Sequence, residues 1–220
     1  MLTLSDVLPQ DDVRRVREGL ANLTFRDGRA TALGSARQVK SNRQTQASEA
    51  GTQALARFVR QALERHPVFM AWARPARWSN LIFSRYAPGD AYGLHTDAPF
   101  MEAEGGGRLR TDLSFTLFLS PVETYQGGAL EVHGPEGARQ ARPEAGSAVI
   151  YATGALHQVT PVTKGERLAC VGWIESQVRR ADEREVLFDL ERLRASLPDG
   201  EARLTADKAI GTLLRMWGEV

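Results

Sequence analysis

The chain has 220 residues, 42% of them hydrophobic and 25% charged, with 28 basic against 27 acidic side chains and a formal net charge of +1. That length suits one ordinary domain with a core that needs no disulfide staples, and the composition excludes fibrous and disordered classes. The near-balance of charge leaves no electrostatic footprint for duplex DNA or an anionic membrane, so neither nucleic acid nor membrane is expected as a partner.

Cys170 is the only cysteine, which rules out an intramolecular disulfide and a multi-thiolate zinc site and fits a reducing compartment. The opening MLTLSDVLPQDDVRR has neither a basic leader nor an apolar signal-type run, and no stretch approaches the roughly 18 consecutive apolar residues of a membrane span. A cytoplasmic location is the resulting expectation.

Three zones follow in chain order. Residues 1–75 read as a helical support region. Pro9 suits a first helical turn before Val13, Val16, Leu20 and Leu23, and Leu55, Phe58, Val59, Ala62 and Leu63 predict a second helix ending before Pro67. The polar segment between them is expected to hold a short strand or a mobile loop. Residues 76–178 change to strand chemistry. WSNLIFSRY stops at the turn Pro88-Gly89-Asp90, and Leu113, Phe115, Leu117 and Leu119 alternate with Ser114, Thr116 and Phe118. GGALEVHG, GSAVIYA, LHQVTPV and RLACVGWIES continue as short strands, a spacing that predicts a sandwich or jelly roll. Helices preceding strands, rather than alternating with them, argue against a Rossmann sheet. Residues 179–220 return to helix. Asp182 and Glu185 have capping-box spacing before Val186, Leu187, Leu190, Leu193 and Leu197, and Ile210, Leu213, Leu214 and Trp217 mark a second amphipathic helix. This pair is expected to pack on the sheet or to form a homodimer contact. The fold class is thus α+β.

Chemistry concentrates around two of the four histidines. In His95-Thr96-Asp97 the imidazole and the carboxylate, two residues apart in extended backbone, point to one side and can share a metal ion. His157, in ALHQVTP, can supply a third ligand. Two histidines and one carboxylate that leave positions open form the facial triad of non-haem iron(II) oxygenases. Arg167 follows His157 by ten residues across the turn TPVTKGE, a spacing that predicts adjacent antiparallel strands. It opens the apolar strand LACVGWI, where an unpaired charge is costly, so an acidic ligand is expected at its planar fork.

RYAPGDAYGLHTD, FTLFLSP, GGALEVHG and GSAVIYATGALHQVTPVTKGERLACVGWIES together resemble the prolyl-4-hydroxylase-like branch of the Fe(II)/2-oxoglutarate-dependent dioxygenases, and most closely the bacterial PKHD-type hydroxylases. The resemblance implies a double-stranded β-helix (jelly roll) core with N-terminal packing helices and a C-terminal helical pair. It implies iron(II) on His95, Asp97 and His157, and 2-oxoglutarate held through its distal carboxylate by Arg167, with Tyr86 hydrogen-bonding the same carboxylate. The implied reaction consumes O2 and 2-oxoglutarate, hydroxylates an unidentified peptidyl residue or small molecule and releases succinate and CO2. L-ascorbate as reductant and a link to iron uptake are carried over from the same relatives. Trp173 matches a core aromatic near the site, read as packing, and Gly127-Gly128 a tight turn.

Other features carry less. His66 and His133 fit no ligand spacing and read as surface residues, Cys170 as a small buried hydrophobe, and Arg74, Arg77 and Arg85 as a solvated face. MEAEGGGRLR, residues 101–110, reads as a flexible loop, with a substrate lid as the sharper alternative. A nucleic-acid demethylase of the same superfamily requires an arginine-asparagine-threonine-arginine signature from which KGERLACVGWIES departs. The rival from another class is a non-catalytic cupin-like metal-binding or sensor module.

Overall fold

Alternation along residues 113–118 becomes, in the computed structural model, which describes residues 1–32 and 34–219, a central strand buried on both faces, Leu113–Phe118. Leu113, Phe115 and Leu117 join one core with Val13, Val16 and Leu20 of the helix Gln10–Ala21, Val59, Ala62 and Leu63 of the helix Ala50–Arg65, and Phe69 and Ala73 of the short helix Pro67–Ala73. Phe118, from the other face, packs instead with Leu130, Val132, Ala141, Val149 and Tyr151. One strand therefore has helices on one side and a second sheet on the other, which is why its hydrophobic and its polar positions are both buried.

The strand belongs to an eight-stranded sheet ordered Leu2–Leu4, Ala148–Ala152, Leu113–Phe118, Arg167–Ser176, Ile82–Tyr86, Arg43–Gln44 and Arg26–Asp27, with Pro75–Trp78 also pairing on Arg167–Ser176. The facing five-stranded sheet runs Gly137–Ala141, Leu130–Gly134, His157–Val159, Ala91–His95 and Lys40–Ser41. All pairings are antiparallel. Helices on one face of two stacked antiparallel sheets give the expected α+β jelly-roll architecture.

Several expectations need correction. The zone 1–75 holds the short strand expected in the polar segment between its helices, as Lys40–Ser41 and Arg43–Gln44, but it also lends Leu2–Leu4 and Arg26–Asp27 to the large sheet, each too short to show a period of two. Residues 101–110 are mostly a β-hairpin, Phe100–Glu102 paired with Arg108–Arg110, and not an irregular loop. Leu109 inside it is fully buried, and Arg77 donates to the carbonyls of Arg108 and Gly106. The helix Ala181–Ser196 begins after Arg180 without a side-chain cap; Asp182 lies in its first turn and pairs with Arg180 rather than forming a capping box. Of its expected stripe only Leu187 is fully buried, within a small cluster with Val178 and Ile210; Val186 and Leu193 are exposed. Arg74, Arg77 and Arg85 do not share a solvated face, because Glu191, Glu175 and Glu166 respectively pair with them. Among the described residues, no helix is long and apolar enough to cross a membrane.

Candidate active site

Register places the two histidines opposite each other. His95 ends its strand and faces His157 across the antiparallel pair, and the two rings lie 4.2 Å apart between centroids. Each ring donates its Nδ1–H to the carbonyl two residues back, His95 to Gly93 at 2.8 Å and His157 to Ala155 at 3.0 Å. That bond fixes the tautomer and turns both Nε2 lone pairs inward. Asp97 completes the group: Oδ1 is 3.7 Å from His95 Nε2 and Oδ2 is 3.5 Å from His157 Nε2. The three potential ligand atoms lie within 4.8 Å of one another, close enough to share one ion.

The donor set suits a divalent transition metal with open positions. His95 Nε2 is buried without a hydrogen-bond partner, as a ligand atom awaiting its ion is. Burial, and next the neighbouring His157 ring, push His95 down to about 4, so it is neutral at physiological pH, the form that binds a cation. Tyr92 stacks on the His95 ring with centroids 3.6 Å apart and limits its tilt.

Asp97 is aimed from the opposite sheet. Its Oδ2 accepts a hydrogen bond from Trp173 Nε1 at 2.8 Å and another from Ser114 Oγ at 3.0 Å. With its one proton on Asp97, Ser114 Oγ can accept from the Thr153 hydroxyl, 3.0 Å away. Trp173 is thus more than the packing aromatic its sequence context predicts: its indole orients a candidate metal ligand. The available signal was parity. Trp173 and Arg167 are six residues apart on one strand and share a face, and Ser114 lies on the polar side of the alternating strand.

Arg167 is 1% exposed, and its Nε and Nη2 have no hydrogen-bond partner. Burial lowers its pKa, while Tyr86, Tyr125 and Tyr151 act in the other direction. The guanidinium is packed between two rings, its Cζ 5.0 Å from the centroid of Phe118 and 5.2 Å from that of Tyr86, the residue opposite it in register. An unpartnered charge at this depth is costly unless an anion arrives. Room for the side chain comes from Gly128, at φ 61°, where a Cβ would stand 2.9 Å from Arg167 Cδ. Glycine there serves both the turn and the arginine.

Sequence spacing anticipated adjacent strands for His157 and Arg167, and the structure differs. His157 pairs with the strands of His95 and Val132, whereas the Arg167 strand pairs with those of Tyr86, Ser114 and Trp78. The intervening strand Val162–Gly165 pairs with Tyr125–Gly127 and carries the chain from one sheet to the other. His157 and Arg167 consequently lie on opposite sheets.

Between the sheets is a cavity of about 550 Å³. His95, Asp97, His157, Tyr86, Tyr92, Tyr151, Ser114 and Trp173 line it, and Arg167 lies directly behind Tyr86. The hairpin residues Phe100, Met101 and Glu102 form part of its rim. Lys40, unremarked in the sequence, also faces it and is 6% exposed. The remaining histidines lie elsewhere: His66 accepts from Phe69 N–H at the start of the short helix, and His133 pairs with Glu131. Cys170 is fully buried in the helical-side core, and burial raises its thiol pKa.

Comparison with known proteins gives one consistent result. Residues 81–175 match the model of the 2OG-Fe(II) oxygenase superfamily. A PKHD-type hydroxylase of Hyphomonas neptunium is 43% identical over 100% of both chains, and one of Maricaulis maris is 46% identical over 100% of this chain and 99% of its own. The crystal structure of a Pseudomonas putida prolyl-4-hydroxylase superposes with a TM-score of 0.53 at 21% identity, covering 80% of this chain and 91% of that one, a likeness of fold.

Proposed function

Because the chain belongs to the PKHD-type hydroxylases of the 2OG-Fe(II) oxygenase superfamily, and is a 2-oxoglutarate-dependent dioxygenase, we propose that the cavity between its sheets hydroxylates a substrate there. His95, Asp97 and His157 hold the iron(II), and Arg167, assisted by Tyr86, binds the distal carboxylate of 2-oxoglutarate. The substrate, a peptidyl residue or a small molecule, gains one oxygen atom of O2; the other enters succinate as 2-oxoglutarate loses CO2.

When bound, iron(II) with its co-substrate supplies the O2 chemistry and the oxidative decarboxylation. The chain's own residues provide the setting. Gly93 and Ala155 carbonyls hold the histidine tautomers, and Trp173 and Ser114 hold the Asp97 carboxylate. Tyr86, Phe118 and Tyr151 make an apolar surround in which the Arg167 charge acts with little screening. The observation that carries the reading is the buried guanidinium with two unpartnered nitrogens behind the wall of a cavity whose ligand triad is preorganised. A cupin-like metal-binding module has no use for such a charge. Ascorbate rescue of oxidised iron, a homodimer, a cytoplasmic location, a link to iron uptake and a division at about residues 75 and 178 complete the proposal and rest on the sequence resemblance and patterning alone.

The test is anaerobic addition of iron(II) and 2-oxoglutarate to the purified protein, watching for the weak visible charge-transfer band of the chelate. We expect the band in the wild type, its loss in His157→Ala, and a far higher 2-oxoglutarate requirement in Arg167→Ala. Bound iron without a band would remove the 2-oxoglutarate assignment and favour the cupin-like module.

A further inference from the structure

One wall of the cavity is built largely from residues that precede the family-matched segment 81–175. Thr31, Lys40 and Gln44 line it together with Ser84. Lys40 is set by register: the strand Lys40–Ser41 pairs with Ala91–His95 so that Lys40 lies opposite Tyr92, whose ring stacks on His95. Its Nζ donates to Thr31 Oγ1 at 2.9 Å and approaches Gln44 Oε1 at 3.3 Å, and it stands 4.9 Å from the centroid of the Tyr92 ring. Gln44, on the eight-stranded sheet facing the strand of Lys40, in turn donates from Nε2 at 2.9 Å to Ser84 Oγ, its register partner in the same sheet. The wall is therefore a fixed hydrogen-bonded set bridging the two sheets.

Every direct partner of this ammonium is neutral. Among the described residues, no carboxylate oxygen lies within 4.0 Å of Lys40 Nζ. An ammonium has three donors, and the two neutral acceptors leave one for the cavity. The charge tally of the loaded site sharpens the point. A divalent ion with Asp97 leaves one positive charge, and doubly anionic 2-oxoglutarate with Arg167 leaves one negative charge, so these cancel. Glu102, the other charged lining residue, is exposed on the rim. Burial lowers the Lys40 ammonium to about 8 while the more distant Asp97 and Asp27 charges support it, and it is left without a directly bonded counter-ion in a cavity of about 550 Å³, which has the size of a site for a drug-sized ligand rather than for a small diacid alone.

We propose that Lys40 is a specificity-determining residue that anchors a carboxylate of the primary substrate, so that the substrate class is an anionic molecule or an acidic peptide segment. The inference rests on the proposed function, since it takes the triad and Arg167 to be filled by iron and 2-oxoglutarate. Thr31, Gln44 and the Tyr92 face hold the ammonium in place, and its remaining N–H addresses the anion.

The chain has only three lysines, Lys40, Lys164 and Lys208, so the Lys40 side chain can be followed directly. The full-length protein, carbon-13 labelled at lysine Cε, is loaded with zinc(II), a redox-inert substitute for iron(II), and with 2-oxoglutarate. N-acetylglycinate and N-acetylglutamate are then titrated, each against its uncharged amide. We expect a saturable shift of the Lys40 resonance with the carboxylates only, with Lys164 and Lys208 unmoved. Lys40→Met should abolish carboxylate binding while the 2-oxoglutarate dissociation constant stays within about twofold, and Lys40→Arg should keep binding. Equal responses to acid and amide, or no response at Lys40, overturn the inference. So does a loss of about tenfold or more in 2-oxoglutarate affinity in Lys40→Met, which would make Lys40 a co-substrate residue. If Lys40→Met fails to fold, the wild-type titration with Lys40→Arg decides alone. Failure of zinc and 2-oxoglutarate to bind, read before any probe is added, would overturn the proposed function and this inference with it.

Discussion

The two sheets contribute different things to the cavity they enclose. The five-stranded sheet offers His95 and His157, each with one nitrogen tied to its own backbone and the other turned inward, and Leu94 and Leu156 beside them are exposed. The eight-stranded sheet, backed by helices on its far face, offers Trp173, Ser114, Tyr86 and Arg167. The first supplies ligand atoms held by main chain; the second supplies orientation and charge held by side-chain packing. Asp97 joins them, following a strand of the small sheet and bonded to two side chains of the large one. A site split in this way is complete only when the sheets are stacked: the metal ligands draw on both sheets, whereas the charge for the co-substrate comes from the large sheet.

Two changes on the large sheet, and one in the turn that packs against its Arg167, can break or sharpen that division. The largest effect is expected from Arg167→Met. Calorimetric affinity for 2-oxoglutarate should fall by about 100-fold or more, the order expected when one partner of a buried charge pair is removed. Unfolding in urea of the ligand-free variant should show stability raised by about 1 kcal/mol, because a buried unpartnered charge is gone. A ligand-free protein destabilised by several kcal/mol would instead mean that Arg167 is held by bonds within the fold. Next is Trp173→Phe, which keeps the ring and deletes the N–H that aims Asp97. Metal affinity is expected to drop about 10- to 100-fold, measured by iron(II) or cobalt(II) titration. An unchanged metal affinity would show that Ser114 alone suffices. The smallest effect should come from Gly128→Ala, which adds a Cβ against Arg167 Cδ at a positive φ. A loss of about three- to tenfold in 2-oxoglutarate affinity is expected, with a stability cost of about 1–2 kcal/mol and metal binding intact. Loss of metal binding there would erase the distinction between the sheets.

Much of the site was legible because its spacings are local. His95 and Asp97 stand two apart, and strand parity alone puts them on one side. Arg167 was singled out by a charge at the head of an apolar strand, although the geometry inferred for it was wrong: ten residues bridged two sheets, not two adjacent strands. Trp173 and Lys40 were illegible as functional groups for a different reason. Trp173 meets Asp97, 76 residues away, and Lys40 meets Gln44 only because the sheets stack, while Thr31 reaches Lys40 from a 3₁₀ turn that no sequence period marks. The jelly-roll core could be read from alternation over five or more residues. Strands of two or three residues near the start, and a hairpin carrying Gly105, Gly106 and Gly107, lack a period to read.

Those shortest strands have a consequence beyond the cavity. Of the four lateral borders of the two main sheets, three are formed by segments from the first 41 residues: Leu2–Leu4 and Arg26–Asp27 on the large sheet and Lys40–Ser41 on the small one. A border that short gives an incoming chain few free N–H and C=O groups to copy. The N-terminal region thus shortens three of the four edges at which strand-by-strand self-association could start, and leaves Gly137–Ala141 as the one border of ordinary length.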